Sequence, residues 1–224
     1  MADLLTLLSG SLVGFSLGLI GGGGSILAVP LLLYVVGIKD PHLAIGTSAV
    51  AVAANAFVNL LGHWRAGNVK WPCAAVFAVS GIAGAALGSS LGLLVEGQRL
   101  LFLFALVMIA VGAAMLRPRA AAGDPAVRIT SHIAIRLVLI GLLAGGVSGF
   151  FGIGGGFLIV PGIMLGSGMA MLNAVGSSLF SVGIFGLTTA ANYALAGQVA
   201  WSVAAELIAG GIVEIGRASC RERV

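Results

Sequence analysis

Two clusters of glycine stand where bare backbone could do chemistry. Gly21, Gly22, Gly23 and Gly24 form the first, and Gly152, Gly154, Gly155 and Gly156 the second. Glycine lets a ligand approach backbone N–H groups with no side chain in the way. A helix beginning just past such a break points its positive end at the same spot, which suits an anion. Either cluster alone would read as a packing kink; two at matching places favour a binding site. Hydroxyls follow each cluster, Thr47 and Ser48 after the first and Ser177 and Ser178 after the second, at the opening of the next apolar segment. Such hydroxyls could cap a helix N-terminus, ligate an oxyanion, or do both. Asn55 and Asn59, four apart, share a helix face and serve either as interhelix glue or as substrate contacts. Glu206 is a carboxylate inside an apolar run. An ionisable group there is a candidate for proton coupling, although its repeat counterpart is Val76 and its depth is open.

These residues belong to a duplication. With an offset of 131, Gly14, Gly18, Gly21, Gly23, Gly24, Val29 and Pro30 superpose on Gly145, Gly149, Gly152, Gly154, Gly155, Val160 and Pro161. Downstream the offset becomes 130. Gly46-Thr47-Ser48 then falls on Gly176-Ser177-Ser178, and Ala66-Gly67-Asn68-Val69 with Trp71 on Ala196-Gly197-Gln198-Val199 with Trp201. A duplicated hydrophobic unit broken by Gly and Pro at the same place in both copies points to a transport site at a repeat interface.

The elements that must position these residues are membrane helices. The chain of 224 residues is 59% hydrophobic and 8% charged. Apolar runs of about 20 residues, the length that spans a bilayer, recur along it. The fold class is all-α, a polytopic integral membrane protein with two homologous halves. Residues 1–116 form the first repeat, 117–132 a polar cytoplasmic linker, and 133–213 a second, incomplete repeat. Leu4–Ile38 is too long for one straight span, so a helix over 4–20, a break, and a shorter helix over 25–38 are predicted. Further spans are predicted at Ala44–His63, Trp71–Val95, Leu100–Leu116, Ile133–Leu165 and Ala174–Leu195, with another starting at Val199. Gly84, Gly88 and Gly92 give the Trp71–Val95 span a smooth face for close contact. If the first segment crosses once, Arg65, Lys70, Arg117, Arg119, Arg128 and Arg136 lie on one side and Lys39 and Arg99 on the other. The positive-inside rule then places the N-terminus and the linker in the cytoplasm; a hairpin in the first segment would move the N-terminus. His42 and His132 read as solvated loop residues, and Trp71 and Trp201 as interface anchors.

Residues 214–224 interrupt the repeat with three Arg and two Glu. They back-translate into a common sequencing adapter, so they read as an appended tail, with the natural sequence diverging near Val213. No basic n-region marks a signal peptide. Gly21–Gly24 lacks the Lys-Ser/Thr of a phosphate-binding loop, and neither a nucleophile elbow nor a His-Glu-x-x-His helix occurs. No metal site, cofactor, enzyme activity or nucleic-acid partner is therefore expected. The expected partners are a small anionic substrate and the lipid bilayer, with a homo-oligomer left open.

The doubled G-x-G-G-x(4)-V-P block (Gly21–Pro30, Gly152–Pro161), the Gly-Thr/Ser-Ser motif and the Gly-x-Val-x-Trp turn (Gly67–Trp71, Gly197–Trp201) resemble the TauE/SafE family of sulfite and organosulfur-anion exporters. The resemblance covers residues 4–213. It implies a multi-pass secondary carrier of the bacterial inner membrane that moves small sulfur-containing anions such as sulfite, sulfonates or sulfoacetate, in the export direction. In that reading the two broken segments meet near the midplane, and backbone N–H groups with Thr47, Ser48, Ser177 and Ser178 bind the anion. A passive anion channel and a non-transporting membrane subunit are the alternatives.

Overall fold

The computed structural model describes residues 2–20, 25–115, 129–152 and 156–221. Its helices are α1 (Ala2–Ile20), α2 (Ala28–Pro30, continuing as a π-helix over Leu31–Val35), α3 (Pro41–Arg65), α4 (Trp71–Leu94), α5 (Gly97–Met115), α6 (Ser131–Phe151), α7 (Gly156–Ser167), α8 (Met171–Leu195) and α9 (Trp201–Arg221). Among the described residues α3, α4, α6 and α8 are long and apolar enough to cross a membrane. Their outer faces expose Leu87, Leu143 and Leu187, as a lipid-facing surface requires.

Local chemistry sets the helix boundaries. Asp40 accepts a hydrogen bond from the His42 N–H at 2.9 Å and Pro41 takes the first helical position, so α3 starts a turn earlier than the expected Ala44. His42 is therefore helical, not a loop residue, and so is His132 near the start of α6. Pro30 lacks a donor, and past it the backbone widens: Val36 N–H donates to Leu31 C=O at 3.0 Å. Its counterpart Pro161 sits inside α7 with no such bulge.

The direction of each helix follows from close glycine contacts. A Cβ on Gly141 would strike Phe77, one on Gly145 would strike Gly81, and one on Gly149 would strike Ala85, so α6 runs parallel to α4. Gly10 meets Leu207 and Gly14 meets Gly211, so α1 runs parallel to α9. The Ser11 hydroxyl also donates to Gly210 C=O at 3.1 Å. By contrast α3 and α8 are antiparallel: Phe57 faces Gly183, and Ala53 and Ala49 face Gly186. Helices α3 and α8 are repeat counterparts, so the two halves have inverted topology. They also exchange partners, since each half's first helix packs on the other half's third span. The expected smooth face of α4 is used in that exchange: Gly84, Gly88 and Gly92 touch the backbone of Leu142, Gly146 and Phe150.

Helix α7 folds back along α6, with Gly162 against Ile140 and Gly166 against Leu137. The broken segment is a hairpin and not a single crossing. This corrects the expected position of the N-terminus. Helix α1 starts at the end of the bundle that carries the turns at 36–40, 95–96 and 196–200. The turn at 66–70 and the start of α6, where the linker arrives, lie at the opposite end. Among the described residues Arg65, Lys70 and Arg136 lie toward one end and Lys39 and Arg99 toward the other, as expected, while Arg117, Arg119 and Arg128 lie outside the described residues.

Candidate functional site

The hydroxyl motifs lie about two turns inside α3 and α8, so they do not cap their own helices. They bridge the repeats. Thr47 Oγ1 donates to Leu43 C=O at 2.6 Å and accepts from the Ala200 N–H at 3.0 Å. Ser177 Oγ accepts from the Lys70 N–H at 2.9 Å. Ala200 and Lys70 immediately precede Trp201 and Trp71, the last residues of the Gly-x-Val-x-Trp turns. Gly46 and Gly176 complete the contact: a Cβ on Gly46 would strike Gln198 C=O, and one on Gly176 would lie 2.9 Å from Asn68 C=O. Asn173 Nδ2 donates to the same Asn68 oxygen at 3.3 Å. The two motifs therefore form a seat and the turn that sits in it, once at each end of the bundle. Ser48 and Ser178 are buried and donate to Ile45 C=O at 2.8 Å and Val175 C=O at 2.7 Å.

The second glycine break adjoins one seat. Gly152 ends α6 with φ +66°, a left-handed value that favours glycine, and a Cβ there would strike Ile45, the neighbour of Gly46. Gly156 is buried at the start of α7. Gly21, Gly22, Gly23, Gly24, Gly154 and Gly155 lie outside the described residues. Helices α1 and α6, which lead to the two breaks, are antiparallel and end toward opposite ends of the bundle.

Asn55 and Asn59 share a face of α3, as their spacing predicts. Asn59 Nδ2 donates to Asn55 C=O at 3.0 Å, within the helix. The Asn55 side chain is 0% exposed, and neither its Nδ2 nor its Oδ1 has a partner. It lies over Gly211, where a Cβ would overlap the amide. Glu206 is half-buried on α9, five residues past Trp201 and hence about 8 Å from the helix start. Among the described residues it has no ion-pair partner.

Two residues that carry little signal in the sequence join the picture. Asn192 bridges α8 to α4, donating to Ser89 Oγ at 2.5 Å and Ala86 C=O at 3.1 Å. Tyr193 is fully buried, its ring 6.3 Å from that of His42, and its hydroxyl has no partner. A lone polar residue near the end of an apolar run does not by itself mark a site. Among the described residues no cluster of metal-ligating side chains occurs.

Comparison with known proteins finds relatives named as membrane transporters. The family described as "Sulfite exporter TauE/SafE" matches residues 6–216. A "Probable membrane transporter protein" of Xylella fastidiosa (strain 9a5c) is 55% identical over 210 residues, covering 93% of this chain and 80% of the relative. "Probable membrane transporter protein YunE" of Bacillus subtilis (strain 168) is 26% identical over 233 residues, covering 94% and 85%. A "Probable membrane transporter protein" of Haemophilus influenzae is 29% identical over 201 residues, covering 87% and 74%. No solved structure matches.

Proposed function

Because the chain belongs to the sulfite exporter TauE/SafE family, we propose that this multi-pass membrane transporter is a secondary carrier of small sulfur-containing anions, moving them outward. The single observation that carries the mechanism is the inverted pairing of the two halves with exchanged partners, α1 on α9 and α6 on α4. An inverted repeat gives two conformations of similar energy, open to opposite sides, which is the requirement of alternating access. The buried start of α7 after its glycine break supplies free N–H groups and a positive helix end for an anion. The glycine breaks, with Thr47, Ser48, Ser177, Ser178, Asn55 and Asn59 around them, form the substrate path in this proposal. Glu206 lies near one mouth, where a proton-coupling role is open to test.

The end of the bundle bearing Arg65, Lys70, the linker and Arg136 is assigned to the cytoplasm by its positive charge. The N-terminus then lies outside, and the membrane is the bacterial inner membrane. No nucleotide motif accompanies the helices, so an ion gradient drives the cycle; neither a cofactor nor catalytic chemistry is invoked.

The test is reconstitution of the protein from the genomic gene into liposomes, followed by uptake of labelled sulfite and of a sulfonate, with and without an imposed proton gradient. Saturable, gradient-dependent uptake with counterflow is expected. Large unitary currents would instead identify a channel, and silence toward every anion from correctly inserted protein would remove the carrier reading.

A further inference from the structure

We propose that Asn55 is the ligand-recognition residue of a one-sided polar arm, formed by α1, α3 and α9, and that this arm takes its anion in a singly charged, hydrogen-bearing form. The inference rests on the carrier reading above and adds the residue and the ionic species.

The inverted repeat supplies its own control. The contact of Asn55 with Gly211 recurs in the other half as the contact of Phe185 with Gly81, at the same offset of 130: a Cβ on Gly81 would strike the Phe185 ring. Phe185 is fully buried and stacks on Phe77 with centroids 6.0 Å apart, so the place equivalent to that of Asn55 is filled and apolar. The same substitution pattern continues along the first helices. Ser9 and Ser11 of α1 correspond to Ile140 and Leu142 of α6. Ser9 is buried and its hydroxyl has no partner. At these three positions the first arm is polar where the other is hydrocarbon and aromatic; at Ser148 against Leu17 and Ser181 against Ala51 the order reverses, so the amide of Asn55 is what sets the first arm apart.

A buried amide without partners is costly, because desolvation is not offset by any hydrogen bond. Ser148, Ser181 and Thr189 also lack partners, but a single hydroxyl can turn onto the carbonyl a turn behind it. Asn55 carries two donors and a separate acceptor. Even if Nδ2 bonded back along the helix, as that of Asn59 does, Oδ1 would stay unpaired. Its cost is explained if an arriving ligand satisfies both ends at once, accepting from Nδ2 and donating an O–H to Oδ1.

Charge selects the species. None of the described Lys and Arg side chains is buried. The titratable groups on the surrounding elements are Asp3 and Glu206 on α1 and α9, Tyr34 after α2, Tyr193 on α8, and His42, His63 and Arg65 toward the ends of α3. Glu214, Arg217, Cys220 and Arg221 follow in the C-terminal tail. No described cationic side chain stands beside Asn55 to balance a dianion in a low-dielectric site. A monoanion that keeps one proton, as hydrogen sulfite does, carries half the charge and matches both amide atoms. Access requires α1 to part from α9, which meet through backbone at Gly14 and Gly211 and through the Ser11 hydroxyl on Gly210 C=O.

The experiment compares wild type with Asn55→Leu, nearly isosteric and apolar, in the same liposomes. We expect Asn55→Leu to insert, to unfold at a temperature equal to or above that of wild type, and to lose about ten- to hundredfold in initial sulfite uptake, the worth of hydrogen bonds to a charged group. If Leu prevents insertion, Asn55→Ala carries the same test with the same expected loss. At constant total sulfite, wild-type uptake should fall as pH rises through the range in which sulfite loses its remaining proton, and sulfate should not compete. Wild-type uptake by an inserted variant, or uptake that tracks the dianion, overturns the inference and leaves the carrier reading intact. If wild type moves none of the anions, it is the carrier reading that fails.

Discussion

Thr47→Val tests whether the seats between the repeats hold the bundle together. Valine keeps the branched shape and volume but removes the oxygen that accepts from the Ala200 N–H at 3.0 Å. Leu43 C=O loses only a second donor, because the helix ladder already satisfies it. The expected cost is therefore that of one orphaned backbone donor at a partly buried site, about 1–3 kcal/mol. Ser177→Ala removes the equivalent acceptor from the Lys70 N–H and should cost a similar amount. The two seats lie at opposite ends of the bundle with no shared partner, so the double variant should show the sum. Ser48→Ala and Ser178→Ala are the controls. Their hydroxyls donate only to carbonyls of their own helix and orphan no donor when removed, so each should cost no more than one ordinary hydrogen bond, about 0.5–1.5 kcal/mol, and less than its seat variant. The assay is thermal unfolding in one detergent at one scan rate, with about 2–4 °C expected for each kcal/mol. Because membrane proteins often unfold irreversibly, ranks under identical conditions are the quantity to compare. Unchanged transitions for both Thr47→Val and Ser177→Ala, or control variants as damaging as the seat variants, would refute the seats as structural clamps.

Other substitutions probe the remaining contacts. Gly88→Val should sharply reduce the yield of monodisperse protein on fluorescence-detected gel filtration, because a side chain there meets Gly146 backbone, whereas Gly112→Val, with open space around it, should be tolerated. Gly154→Leu and Gly23→Leu should abolish anion uptake while leaving insertion intact; full activity in both would remove the glycine breaks from the substrate path. Single cysteines at residue 2 and in the 117–128 linker should react with an impermeant maleimide from opposite faces of sealed vesicles, in a background with Cys220 replaced, where buried Cys73 stays unlabelled. Labelling from one face would contradict the hairpin topology.

The breaks are visible in the sequence because Gly and Pro act locally, and their effect on a helix is written at their own positions. The path of the chain beyond a break is not local. Nothing in Gly152–Gly156 tells whether the chain continues onward or turns back; the contacts of Gly162 with Ile140 and Gly166 with Leu137 decide it. The start of α3 is ambiguous in sequence because Asp40-Pro41 stops one helix and equally well starts another, and here it caps the second. The pairing of Gly-Thr/Ser-Ser with Gly-x-Val-x-Trp across the halves left no trace in the alignment; the shared offset of 130 reflects only that α3 and α8, each 25 residues long, separate the two motifs equally within each half. The contrast of Asn55 with Phe185 is present in the repeat alignment. It gains meaning only once Gly211 and Gly81 show that both side chains occupy equivalent places.

The exchange of partners between repeats sets a schedule for biosynthesis. Ser11 bonds to Gly210, 199 residues later in the chain. At a synthesis rate of about 5–20 residues per second, α1 leaves the ribosome roughly 10–40 s before α9 exists to receive it. Over that interval its glycine face and its Ser9 and Ser11 hydroxyls are without their final neighbours. The first repeat cannot close on itself as it emerges, since the pairing of α1 with α9 and of α4 with α6 awaits the second. Assembly is thereby deferred until nearly the whole chain is in the membrane, and a nascent chain stalled before α9 would present an unpaired α1 to the quality-control machinery.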